Sequence, residues 1–131
     1  MKGNRFAVIV FILMLASFSS CTKEPGTGGL ATIKGKVYAY NYNVYGELVD
    51  SGYAAGEKIY IAYCDNTGVD DNTDSNPDGN FSFKWLQKGS YKIWVISKCA
   101  ACPLGDSVLT QNVSIDSRKQ VIGVSEFIIR R

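Results

Sequence analysis

The chain has 131 residues, with 14 basic and 12 acidic side chains, four cysteines and no histidine. It therefore lacks the commonest general base and the commonest metal ligand. Lys2 and Arg5 belong to the leader, so the remainder carries 12 charges of each sign, and no electrostatic case for nucleic acid or an anionic membrane surface exists.

The first element is a leader, residues 1–20. Lys2 and Arg5 precede an unbroken apolar run from Phe6 to Ala16, and small residues follow, the three-part pattern of an export signal. The run is shorter than the roughly 20 apolar residues a spanning helix needs. Cys21 comes directly after Phe18-Ser19-Ser20. That string resembles a bacterial lipobox, in which the cysteine thiol receives a diacylglycerol. The resemblance implies anchoring to the outer membrane through Cys21, facing the periplasm or the surface. The alternative is an ordinary signal with an incidental cysteine. Residues 21–29 hold several glycines and no apolar periodicity, and read as a flexible tether.

Residues 30–131 read as one all-β domain. Thr32 to Tyr42 alternates, with Ile33, Gly35, Val37 and Ala39 on the expected core side and Lys34, Lys36, Tyr38, Tyr40 and Tyr42 on the other. Asn43 to Gly56 is a long connection in which Glu47-Leu48-Val49 could pair as a short edge strand. Lys58 to Cys64 is the next strand, with Ile59, Ile61 and Tyr63 inward. Asp65 to Asp78 reads as a polar loop ending in the turn Asn76-Pro77-Asp78-Gly79. A hairpin follows: Phe81, Phe83 and Trp85 share one face, Gln87 to Ser90 turns the chain, and Tyr91, Ile93 and Val95 alternate back. Cys99 to Asp106 is a second loop. Ser107 to Ile115 and Val121 to Ile129 close the domain. Strands at short spacing, with no helical stretch after residue 20, predict a β-sandwich.

Several strings carry a family likeness. Asp78-Gly79-Asn80-Phe81-Ser82-Phe83, Leu86, and Gly89 to Val95 resemble the signature of carboxypeptidase regulatory-like domains, the transthyretin-like (prealbumin-like) sandwiches. Ile33 to Val37 is similar to that family's opening strand and Gly52 to Ile61 to its second. The likeness runs over residues 30 to 129. It implies a seven-stranded Greek-key sandwich that is non-catalytic and serves as an accessory or adhesive module.

Three sets of side chains are candidates for chemistry. Tyr38, Tyr40 and Tyr42, with Tyr45 beyond them, form an outward stripe suited to stacking on sugar rings or packing on a partner, unless the Asn43 to Gly56 connection folds over it. Trp94 and Tyr60 likewise point away from their strands' core sides. Cys64, Cys99 and Cys102 are disulfide candidates, and a bridge from Cys64 to the Cys99/Cys102 pair is preferred because it closes the longer loop. The same three cysteines support the alternative of a redox or metal-handling protein. Asp74 to Gly79 matches the opening of a calcium loop, but Trp85 stands where the closing glutamate belongs. A calcium site of another geometry could use Asp65, Asp70 and Asp71. No nucleophile–base pair is assembled, so no enzyme, no cofactor and no dedicated metal site is expected. The expected ligand is a glycan, a peptide or an envelope protein.

Overall fold

The computed structural model describes residues 25–131; the leader, Cys21 and the first part of the tether lie outside the described residues. Among the described residues nine strands form two sheets and there is no helix. The strands are β1 (Thr27–Tyr42), β2 (Leu48–Tyr53), β3 (Lys58–Tyr63), β4 (Asp71–Asp74), β5 (Asn80–Leu86), β6 (Gly89–Lys98), β7 (Asp106–Ile115), β8 (Val121–Gly123) and β9 (Phe127–Arg130). The all-β sandwich read from the alternation is present. The nine strands include β4, which forms inside the expected polar loop by pairing with β3, and β8 and β9, into which the last strand divides.

The first sheet is built on β1. One edge pairs antiparallel with β5 along its first half and β2 along its second. Val37 marks the handover: its N–H donates to the Gly79 carbonyl and its own carbonyl accepts from the Ala54 N–H, both at 2.9 Å. The other edge takes β8 and then β9, both parallel. The second sheet runs β4-β3-β6-β7, antiparallel throughout.

Period-two alternation gives each sheet an apolar inner side, and the two inner sides close on each other. Ile33, Val37 and Ala39 of β1 meet Phe81 and Phe83 of β5 and Phe127 and Ile129 of β9, with Ile59, Ile61, Tyr91, Ile93 and Val95 opposite. Phe81 lies 6.2 Å from Phe83 and 6.1 Å from Phe127, ring to ring.

The chain enters through a latch. The buried Tyr91 hydroxyl accepts from the Gly26 N–H at 2.9 Å and donates to the Gln87 carbonyl at 2.7 Å. Burial pushes this phenol above its ordinary pKa. The Gln87 side chain donates to the Thr27 carbonyl at 2.8 Å. These bonds give the backbone a partner before residue 30, so β1 begins at Thr27, within the stretch read from sequence as tether.

Trp85 departs from the expected face. Its φ is +61°, and it is 63% exposed while Leu86 is buried. The β1–β5 register shifts here, with Thr27 and Ala31 both facing Leu86. A left-handed residue at a bulge reverses the alternation, so Leu86 fills the inner position and the indole swings out.

The preferred Cys64 bridge is also corrected. The disulfide joins Cys99 to Cys102, and Cys64 is free and exposed. Antiparallel pairing of β3 with β6 places Cys64 beside Ser90, at the start of β6, while Cys99 follows the end of that strand. Nine residues of strand separate the two by about 30 Å. A disulfide spans Cα atoms less than about 7 Å apart.

Candidate functional site

The outer face of the first sheet carries the tyrosine stripe. Tyr38, Tyr40 and Tyr42 follow one another on the side of β1 away from the core, all half-buried. The 43–56 connection does not fold over them. It turns tightly and returns as β2 in the plane of the sheet, with Tyr53 opposite Tyr38 and Ser51 opposite Tyr40. The turn is held by Asn43, whose side-chain oxygen accepts from the Tyr45 and Glu47 N–H groups at 2.9 Å each. Tyr45 projects from the tip, 86% exposed. On the other edge of β1, β9 sets Ile128 beside Tyr38 and Arg130 beside Tyr40.

The result is an aromatic floor of Tyr53, Tyr38 and Tyr40, with Tyr42 next on the same face of β1. Tyr38 meets Tyr40 and Tyr53 edge to face, with ring centroids 5.4 Å apart in both pairs. Its hydroxyl donates to Ser51 Oγ at 3.2 Å. Tyr53 is 49% exposed and Ile128 53%. A cation caps each end: Lys36 Nζ sits 4.7 Å above the Tyr53 ring, and the Arg130 guanidinium 4.1 Å above the Tyr42 ring.

Two clefts extend the floor. A groove of about 660 Å³ includes Lys34, Lys36, Asn80, Ser82 and Glu126, with Phe81 and Val124 supplying apolar wall. A cleft of about 350 Å³ lies toward the other end, between Tyr42, Arg130 and the disulfide loop at Cys99 and Ala100. Lys36 belongs to both the floor and the first cleft; Tyr42 and Arg130 belong to both the floor and the second. The bed is therefore long and open. It combines apolar rings with flanking hydroxyl, amide and cationic donors, and it can hold an extended, partly apolar polymer by stacking and hydrogen bonding.

The other candidates fall elsewhere. Trp94 lies on the outer face of the second sheet, stacked on Tyr60 at 5.8 Å and 23°, so it does not join the tyrosines. Cys64 is a strand length from the disulfide, so the three cysteines do not form one site. Asp70 accepts from the Tyr63 N–H at 2.7 Å and from the Asn66 side chain, and these bonds hold its carboxyl below the usual range. Asp71 lies in β4, its carboxylate accepting from the Asn72 N–H at 2.8 Å. Among the described residues no three metal-ligating side chains converge. The calcium-like string is a hydrogen-bonded turn in which the Asn76 side chain accepts from the Asp78 and Asn80 N–H groups.

Tyr53, Ile128 and Arg130 escaped the sequence reading. Ser51 and Gly52 hide the alternation of β2, and the neighbours of β1 depend on pairings between residues far apart in the chain.

No family model matches the chain, and no curated protein does. Among solved structures, a Pseudomonas aeruginosa protein proposed to bind carbohydrate is similar with a TM-score of 0.45 and 14% identity, over 81% of this chain and 91% of that one. An (S)-allantoin synthase is similar with a TM-score of 0.44 and 12% identity; the match takes in 79% of this chain and 42% of the synthase.

Proposed function

We propose that this chain is a lipid-anchored, non-catalytic module of the bacterial envelope, of the carboxypeptidase regulatory-like kind, which holds a glycan chain along its tyrosine face. The observation that carries the reading is the row Tyr53, Tyr38 and Tyr40 in ring contact, with Tyr42 next on the same face of β1 and a cation over Tyr53 and over Tyr42. Sugar rings present C–H faces that stack on phenols, and their hydroxyls take hydrogen bonds from the phenol tips and flanking donors. Tyrosine offers this area at low conformational cost, since each ring is fixed by few torsions. The length of the bed suits a polymer better than a small metabolite.

The triple variant Tyr38/Tyr40/Tyr42→Ser tests the site. It is expected to keep its far-ultraviolet dichroism and a cooperative unfolding transition at 25 °C in urea, and to lose retardation in polysaccharide-containing gels. The single variant Tyr42→Ser, at the rim of the floor, is expected to weaken retardation while perturbing the fold less. Folded variants retarded like the parent would remove the glycan reading.

The anchor rests on the leader and on Cys21. Acyl chains contribute about 0.8 kcal/mol per buried CH₂, so two or three of them hold a protein on a membrane without any spanning helix. Cys21→Ser is expected to move the protein from the membrane pellet to the soluble fraction. Quantitative retention of the variant in the pellet would overturn the anchor.

A further inference from the structure

We infer that the glycan held on the tyrosine face is an acidic one, a polysaccharide bearing carboxylate groups. This rests on the glycan reading above and adds the charge of the ligand.

The cations on the bed are held in place without being neutralised. Lys36 and Arg130 each lie over an aromatic ring and form no ion pair among the described residues. A cation over a ring is fixed and partly desolvated, but it keeps its full charge and its outward N–H donors. The neighbouring charges are arranged differently. Lys58 pairs with Asp74, Lys98 with Asp106, and Arg131 with Glu57. Among the described residues Lys34 adds a third unpaired cation in the groove; of the two carboxylates lining the clefts, Asp74 is paired with Lys58 and Glu126 is unpaired. The bed therefore carries a net positive charge on a chain whose charges beyond the leader balance.

The spacing suits a polymer. Arg130 stands beside Tyr40, and Lys36 lies four residues earlier on the same face of β1. Two residues of one face repeat roughly every 7 Å along a strand, so the two cations are about 13 Å apart along the bed, with three tyrosines in line with them. Stacked sugar rings between the ends would leave carboxylates of successive units within reach of each cation. The Arg130 guanidinium can take a carboxylate through two parallel N–H bonds, and the Lys36 ammonium can serve as a point contact.

The experiment compares polygalacturonate with its fully methyl-esterified form, which keeps the sugar backbone and masks the charge. Binding of the detergent-solubilised full chain to each immobilised polymer is measured by interferometry. The acidic form is expected to bind about tenfold tighter, the size of one or two charge-assisted hydrogen bonds. That preference is expected to shrink as salt approaches physiological strength, where the screening length falls to about 8 Å. The exposed double variant Lys36→Gln/Arg130→Gln is expected to bind both forms alike and weakly, and Tyr38/Tyr40/Tyr42→Ser to bind neither. Equal binding of the two forms by the parent protein would overturn the inference and leave the glycan reading intact. Binding of neither form would overturn both. Capture of polyglutamate as tight as that of polygalacturonate would assign the bed to acidic peptide and overturn the inference as well.

Discussion

Phe83→Ala is expected to destabilise the domain by about 3 to 5 kcal/mol, the usual cost of emptying a buried phenylalanine site. Phe83 is 4% exposed, faces Ile33 across the β1–β5 ladder and meets Phe81 edge to face. The sheets cannot close fully over the gap, because β1 and β5 are fixed by their ladder. A domain of this size is stable by about 5 to 15 kcal/mol, so the loss is a large share of the total. Thermal unfolding is expected to fall by on the order of 20 °C. Trp85→Ala is the informative companion. Strict alternation puts Trp85 on the same face as Phe83, whereas the structure turns it into solvent, so its truncation is expected to shift the melting temperature little. Equal and large losses for both variants would contradict the bulge at Trp85, and an unchanged melting temperature for Phe83→Ala would contradict the core itself.

Gly79→Ala is expected to destabilise the domain markedly. Gly79 has φ +77°, and an added Cβ would lie 2.6 Å from the Val37 carbonyl oxygen and 3.0 Å from Tyr53 Cβ. The left-handed backbone costs a residue with a side chain about 1 to 2 kcal/mol. The contact adds a further 1 to 3 kcal/mol, as overpacking does roughly elsewhere. Relief would require moving the Val37 backbone, and Val37 is where β5 hands over to β2. The variant is therefore expected to loosen both strands. Gly56→Ala separates the two causes. Gly56 has φ +69° and open space where its Cβ would go, so only the conformational part applies. Urea unfolding of both variants checks the difference. If Gly79→Ala costs no more than Gly56→Ala, the close approach to Val37 carries no weight.

The parts of the fold legible in the sequence are those fixed by local alternation. Ile33, Val37 and Ala39, then Phe81 and Phe83, then Tyr91, Ile93 and Val95 announce their inner faces through period two alone, and the turn at Asn76 to Gly79 through its residue types. What the sequence concealed depends on partners. β4 is four polar residues and becomes a strand because β3 offers it an edge. The disulfide depends on which end of β6 each cysteine reaches, and that follows from antiparallel pairing with β3. Trp85 reads as a core residue until the β1–β5 bulge is known. The same holds for the site. The tyrosines on β1 were visible as a stripe, but Tyr53 and Arg130 join them only through ladders spanning 15 to 90 residues of chain.

Thr27 to Tyr42 spans about 50 Å in one extended strand, latched at one end by Tyr91 and carrying the tyrosines toward the other. With the proposed anchor before Thr27 and the proposed polymer on the tyrosines, any pull between membrane and ligand would run along the axis of β1. The strand is clasped on both edges, by β5 and β2 on one side and by β8 and β9 on the other. A load in that direction strains these ladders in shear, many hydrogen bonds together, where a sideways load would peel them apart one by one. Rupture under force is governed by the unfolding rate rather than by equilibrium stability. Under the anchor and the ligand proposed above, β1 would be the strand that carries the load, in shear along both of its edges.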